Sequence, residues 1–150
     1  MSVRPFHLAI FAHDLRLARE FYGGLLCCPE GRSSDKWIDF NLWGHQLVVH
    51  LVPDMDMPEA ARNIVDGHHV AVPHFGIVLS MDDWKALADC LRRANIKFGI
   101  EPTIRFKGQP GEQATMFFRD PSGNAIEMKA FQDGGQLFST EHPSTSESDS

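Results

Sequence analysis

Pro5-Phe6-His7-Leu8-Ala9-Ile10 and Pro73-His74-Phe75-Gly76-Ile77-Val78 decide how this chain folds, because they are two versions of one pattern. Each is an extended apolar run of strand length, opened by proline and interrupted by one histidine. Each leads into a helical pattern, from Asp14 in the first case and from Asp82 in the second. His7 and His74 therefore stand at equivalent points, 67 residues apart.

Outward from the first copy, Asp14 suits an N-cap, and Leu15, Ala18, Phe21, Tyr22 and Leu25 follow at helical spacing. Gly23-Gly24 marks the end of that helix. Residues 37–42 alternate apolar and polar side chains as a strand does, Gly44-His45 is a turn, and residues 46–52 make a further strand. Residues 29–34 read as a loop with at most a short strand. In the second copy, residues 75–79 form a strand and Ser80 caps a helix carrying Trp84, Leu87, Ala88 and Leu91. Strands follow at 96–100, 113–118 and 125–130, the last two joined by a Pro-Ser-Gly-Asn turn.

Both copies read β-α-β-β-β. The expectation is an α+β fold of two βαβββ modules, about residues 4–52 and 72–131, with sheets side by side in a curved, incomplete barrel around a metal site. A connector, 53–71, includes a segment at 58–65 that reads as one short helix. Residues 1–132 make a single domain, a size sufficient for a real core. Residues 133–150 form a tail expected to be largely disordered, since from His142 onward it holds only Pro, Ser, Thr, Glu and Asp.

Composition narrows the function. Hydrophobic residues are 43% and charged residues 23%, ordinary values for a globular protein. A net charge of −6 argues against a nucleic-acid surface, which needs a basic face. No apolar run approaches the roughly 18 to 20 residues of a membrane span, and the start lacks a secretory apolar region. Cys27, Cys28 and Cys90 are odd in number and show no framework spacing, which points to reduced thiols and a cytoplasmic setting.

Eight histidines are present, but only His7, His50 and His74 interrupt apolar strands. Glu127 likewise stands among Ala125, Ile126 and Met128. Repeat equivalence links His7 to His74, and with Glu127 they make a two-histidine, one-carboxylate ligand set. Such a face suits Fe(II), Mn(II), Zn(II) or Ni(II) and leaves positions open for substrate and water. The loop at 105–112 carries Arg105 and Lys107 among glycines, a basic pair suited to closing over an anionic small-molecule substrate.

The run Phe118-Arg119-Asp120-Pro121-Ser122-Gly123-Asn124-Ala125-Ile126-Glu127 resembles the closing F-x-D-P-x-G-N-x-I-E motif of the vicinal oxygen chelate superfamily. That group includes glyoxalase I, extradiol dioxygenases, fosfomycin-resistance transferases and bleomycin-resistance proteins. The resemblance spans residues 5 to about 131 and is nearest to small uncharacterised extradiol dioxygenase-like proteins. It implies that His7, His74 and Glu127 are the metal ligands, that the protein is a homodimer, and that modules are paired within one chain or exchanged between two. It further implies a metal-dependent dioxygenase, with Fe(II) favoured, acting on a catechol-like compound. A glyoxalase-like lyase or isomerase and a non-catalytic small-molecule binder are the alternatives.

This chain departs from the pattern of that superfamily in two ways. It has two modules where large ring-cleaving enzymes have four, and its only tyrosine, Tyr22, lies in the first helix. Glyoxalase I takes a fourth ligand from the strand closing the first module. Counting four from the turn glycines gives Val48 after Gly44 and Glu127 after Gly123, so the candidate His50 lies two residues too far along, on the same face. His50 is therefore either a fourth ligand or a catalytic acid/base beside the metal.

Overall fold

In the computed structural model, residues 2–52, 61–65 and 68–140 are described, the side chains of 61–65 and 68–69 excepted. Strand β1 (His7–Ala12) turns Leu8, Ile10 and Ala12 toward the core and His7, Ala9 and Phe11 away from it. Asp14 accepts a hydrogen bond from Leu17 N at 3.1 Å and caps α1 (Leu15–Ala18). The helix runs on as π-helical turns over Arg19–Leu25, through Gly23-Gly24 rather than stopping there. Leu26 N donates to Phe21 O five residues back, at 2.9 Å. The wide turns leave both Phe21 and Tyr22 buried.

Strands β2 (Glu30–Ser33), β3 (Trp37–Leu42) and β4 (His45–Leu51) complete the first module, in the sheet order β1-β4-β3-β2. The second module repeats it with β7 (Val78–Leu79), α2 (Met81–Arg93), β8 (Ile100–Arg105), β9 (Gln113–Arg119) and β10 (Ala125–Phe131), in the order β7-β10-β9-β8. Ser80 caps α2 by accepting from Asp83 N. Two open four-stranded sheets with flanking helices give the expected α+β architecture, and neither sheet closes into a barrel. Tyr22, Ile38, Phe40, Leu47 and Val49 of the first module share one core with Trp84, Leu91, Met116, Phe118, Ile126 and Met128 of the second.

The register supports the count from the turn glycines. His7 pairs with Gln46 and Ala9 with Val48, while Phe75 bridges Ile126 and Val78 pairs Lys129. Aligning His7 with His74 thus aligns Gln46 with Ala125, Val48 with Glu127 and His50 with Lys129. Gly44 and Gly123, in the two closing turns, both have φ of +88°.

Three more expectations need correction. Residues 61–65 are not helical: they form β5 (Ala61–Val65), paired antiparallel with β6 (His68–Val72). Asn63, Ile64 and Val65 have weak helix propensity, and the Asp66-Gly67 sequence between the strands is a strong hairpin signal. Residues 58–60 lie outside the described residues. The strand expected at 96–100 lies at Ile100–Arg105 instead, because Ile96 N closes the helix end on Leu91 O and the pairing with β9 shifts between Ile100 and Thr103. Pro102 obscures that strand in the sequence and is tolerated because β8 is an edge. The expected strand at 75–79 shrinks to two residues plus the Phe75 bridge. In the tail, Gly134–Phe138 forms one 3-10 turn capped by Asp133, and residues 141–150 lie outside the described residues. No helix among the described residues is long and apolar enough to cross a membrane.

Candidate metal centre

His74 follows the Val72-Pro73 peptide, which is cis, and stands beside the start of β10. Its Nδ1 lies 2.7 Å from Ala71 O. A carbonyl only accepts, so Nδ1 donates and the unprotonated nitrogen of the neutral ring is Nε2. Nε2 lies 3.0 Å from Glu127 Oε2. The ring meets Phe117 edge to face with centroids 4.9 Å apart, which fixes its plane.

Glu127 is held from its other oxygen. Thr115 Oγ1 donates to Oε1 at 2.7 Å, and Lys129 Nζ lies 3.7 Å from the same atom. Strand alternation puts these groups together: Thr115 pairs with Lys129 and Phe117 with Glu127, all on one face of the β9–β10 ladder. Glu127 N donates to Phe75 O at 2.8 Å, so the backbone of the His74 segment is bonded to the backbone of the carboxylate's own residue. Gly76 permits this closeness, since a β-carbon there would meet Glu127 O at 1.5 Å.

This pair fits a divalent cation. Two Lewis bases, an imidazole lone pair and a carboxylate oxygen, face each other with no hydrogen between them in the neutral tautomer, so a cation or a proton must join them. Ligand atoms about 2.1 Å from one ion and at right angles lie about 3.0 Å from each other, matching the observed separation. Among the described residues, no cluster of three or more His, Cys, Asp or Glu is arranged to hold a metal.

The other expected residues are distributed as follows. His7 is exposed on the open face of the first sheet, its Nδ1 2.8 Å from Gln46 Oε1. His50 is exposed on that same face, paired in register with Phe11 and Trp37. The six β1–β4 pairs run without a shift, so Val48, not His50, holds the place equivalent to Glu127. Arg105 lines a cavity of about 400 Å³ together with His74, Thr115, Phe117, Glu127 and Lys129, and its guanidinium lies 5.2 Å from the Phe106 ring centre. Lys107 is exposed on the following loop. The sequence reading missed Thr115, Phe117 and Lys129, although counting by twos from Glu127 and across its strand partner would have found them.

The closing turn has a structural task of its own. Asp120, buried at 6% exposure, accepts from Ser122 N and Asn124 N at Oδ1, and from Tyr22 Oη and Asn124 Nδ2 at Oδ2. Asn124 Nδ2 also donates to Phe11 O, and His13 N donates to Ser122 Oγ. These bonds tie the second module's turn to the end of β1 and to the first helix. Burial, and then the Asp120 carboxylate, push the Tyr22 phenol well above its ordinary pKa. Tyr22 is thus part of the seam between modules. The cysteines are free thiols, and burial pushes Cys28 up to about 11.

The family model described as glyoxalase/bleomycin resistance protein/dioxygenase superfamily matches residues 4–128. A solved structure of that description from Alicyclobacillus acidocaldarius is 31% identical, with 89% of this chain and 96% of that one covered and a TM-score of 0.70. The fosfomycin resistance protein FosX from Listeria monocytogenes is 15% identical over 87% of this chain and 94% of its own, with a TM-score of 0.64. A lactoylglutathione lyase from Agrobacterium tumefaciens is 18% identical over 89% and 94%, with a TM-score of 0.57. The last two likenesses bear on fold alone. Among curated proteins, none matches the chain.

Proposed function

The chain belongs to the glyoxalase/bleomycin resistance protein/dioxygenase superfamily, and from that premise we propose that it is an extradiol-type dioxygenase for a small compound with two neighbouring oxygens. Members of this superfamily are mostly enzymes and typically bind a divalent metal. In the proposed site, His74 and Glu127 of one chain and His7 of a second copy hold the cation. A bound Fe(II), or Mn(II) in its place, would supply redox chemistry and a Lewis acid for the substrate's paired oxygens.

One observation carries this reading: His74 Nε2 and Glu127 Oε2, an imidazole nitrogen and a carboxylate oxygen, face each other at 3.0 Å, while the position equivalent to Glu127 in the first module is Val48. A fourth protein ligand at that position, as a glyoxalase-like centre would use, is not supplied, because valine has no atom that coordinates a metal. Three protein ligands leave a face wide enough for a chelating substrate and a further small molecule. A second copy is invoked because no third ligand reaches the pair within the described residues, whereas His7 is exposed on its own sheet.

The chain's own groups have distinct tasks. Thr115 and Lys129 occupy Glu127 Oε1, so Oε2 is the oxygen left for the cation. Phe117 excludes water from one side of His74. Arg105 and Lys129 give the cavity a positive rim that favours an anionic substituent, and Lys107 approaches when its glycine-bearing loop closes. His50 moves a proton at a substrate oxygen.

Two measurements test this. Oxygen uptake with a panel of catechols, on protein reconstituted anaerobically with Fe(II), should show turnover that His74→Ala abolishes together with metal content. His74→Ala with full metal content overturns the metal reading. Mixing His7→Ala with Glu127→Ala chains after dissociation should restore about a quarter of wild-type sites, since half the dimers are mixed and each has one intact site. No recovery would place all three ligands in one chain.

A further inference from the structure

We propose that Gln46 is a positioning residue that fixes the tautomer of His7 and aims its Nε2 off the first sheet, with Asp39 orienting Gln46 in turn. This rests on the metal reading of His7 given above.

The two histidines face the same problem, because an imidazole that is to bind a cation through Nε2 must carry its proton on Nδ1. The free ring favours the opposite tautomer, so an acceptor has to be placed at Nδ1. For His74 that acceptor is the Ala71 carbonyl, at 2.7 Å. Among the described residues, His7 has a different partner at Nδ1. Its Nδ1 lies 2.8 Å from the side-chain oxygen of Gln46, its register partner on β4. The residue equivalent to Gln46 in the second module is Ala125, which has no group to offer.

An amide can present either its oxygen or its nitrogen, and a nitrogen toward His7 would reverse the tautomer. Asp39 decides between them. Its carboxylate Oδ2 lies 3.5 Å from Gln46 Nε2, and a carboxylate only accepts, so the amide nitrogen faces Asp39 and the oxygen faces His7. Asp39 pairs with Val48, and Gln46 with His7, so all three side chains of the relay share the open face. Asp39 is itself 4.0 Å from Arg32 Nε, a contact too exposed to add much stability. Gln46 is exposed as well, so its bond to His7 contributes little to folding, and its consequence is directional.

The experiment uses full-length, metal-free protein labelled with ¹⁵N histidine, the protonated ring nitrogen being read from its chemical shift, and then Co(II) titration. The wild type should show His7 protonated on Nδ1. Gln46→Leu should move that proton to Nε2 and weaken Co(II) binding by about 10- to 100-fold, with an unchanged melting temperature. Gln46→Glu, which keeps an acceptor, should hold the tautomer and bind within about threefold of wild type. His7→Ala separates two failures. Wild-type affinity in His7→Ala overturns the metal reading itself. Lost affinity there, with wild-type tautomer and affinity in Gln46→Leu, overturns the role of Gln46 alone.

Discussion

Laid over one another, the two closing strands read Gln46-Leu47-Val48-Val49-His50 and Ala125-Ile126-Glu127-Met128-Lys129. The core-facing positions are alike in chemistry, Leu47 with Ile126 and Val49 with Met128, and all four are fully buried. Every position on the opposite face differs: amide against methyl, valine against carboxylate, imidazole against ammonium. The adjacent strand repeats the contrast, with Asp39 where the second module has Phe117 and Trp37 where it has Thr115. The histidine that opens each module, His7 and His74, is kept. The two modules thus preserve a fold on one alternation of the strand and build two different half-sites on the other.

The sharpest way to break this comparison is at Gly76, whose counterpart is Ala9. The first sheet accommodates a methyl group at that place, whereas in the second it would sit 1.5 Å from Glu127 O. Gly76→Ala should cost about 3 kcal/mol or more by chemical denaturation and abolish Co(II) binding. Ala9→Gly should cost about 1 kcal/mol or less. Equal, small losses would mean that close backbone approach is not the reason for the glycine.

The closing turns differ next. Asn41 Oδ1 caps its own turn by accepting from Gly44 N, while Asp120 gathers four donors in a buried seam. Asp120→Ala should therefore destabilise by about 3 kcal/mol and Asn41→Ala by about 1 kcal/mol, compared by urea midpoints. Matching losses would erase the distinction between a local turn and a junction.

A smaller effect is expected at the equivalent positions His50 and Lys129. His50→Gln should spare metal content and lower turnover about a hundredfold, whereas unchanged turnover removes His50 from the proton's path. The smallest expected effect is at Thr115. Thr115→Val should weaken Co(II) binding about tenfold, while Trp37→Phe at the equivalent position leaves it unaltered. A Thr115→Val protein with native affinity would show that Glu127 needs no second partner.

What was readable in the sequence followed from periodicity and local chemistry. The strand around His7, the caps at Asp14 and Ser80, and the Asp120–Asn124 turn each declare themselves within a few residues. The strands at 61–65 and 68–72 are signalled only by the Asp66-Gly67 dipeptide between them, and the strand at 100–105 contains Pro102, tolerated only at a sheet edge. Glu127 was legible as a ligand type, but its support by Thr115 depends on a cross-strand register that no single segment states. Nor does a strand pattern say that Tyr22 and Asp120, 98 positions apart, meet in the interior.

Tyr22 has one more consequence. It is the chain's only tyrosine, so every phenolate absorption signal from this protein comes from the seam between the modules. In an unfolded chain that phenol ionises near pH 10; in the folded one, burial and Asp120 hold it protonated beyond that. The native state therefore loses stability as pH rises past about 10, because only the unfolded form gives up the proton there. The ultraviolet band of tyrosinate should stay silent through that range and then appear in step with the parting of the two halves. The molecule carries a label-free optical gauge of whether its modules are joined, placed there by the same hydrogen bond that joins them.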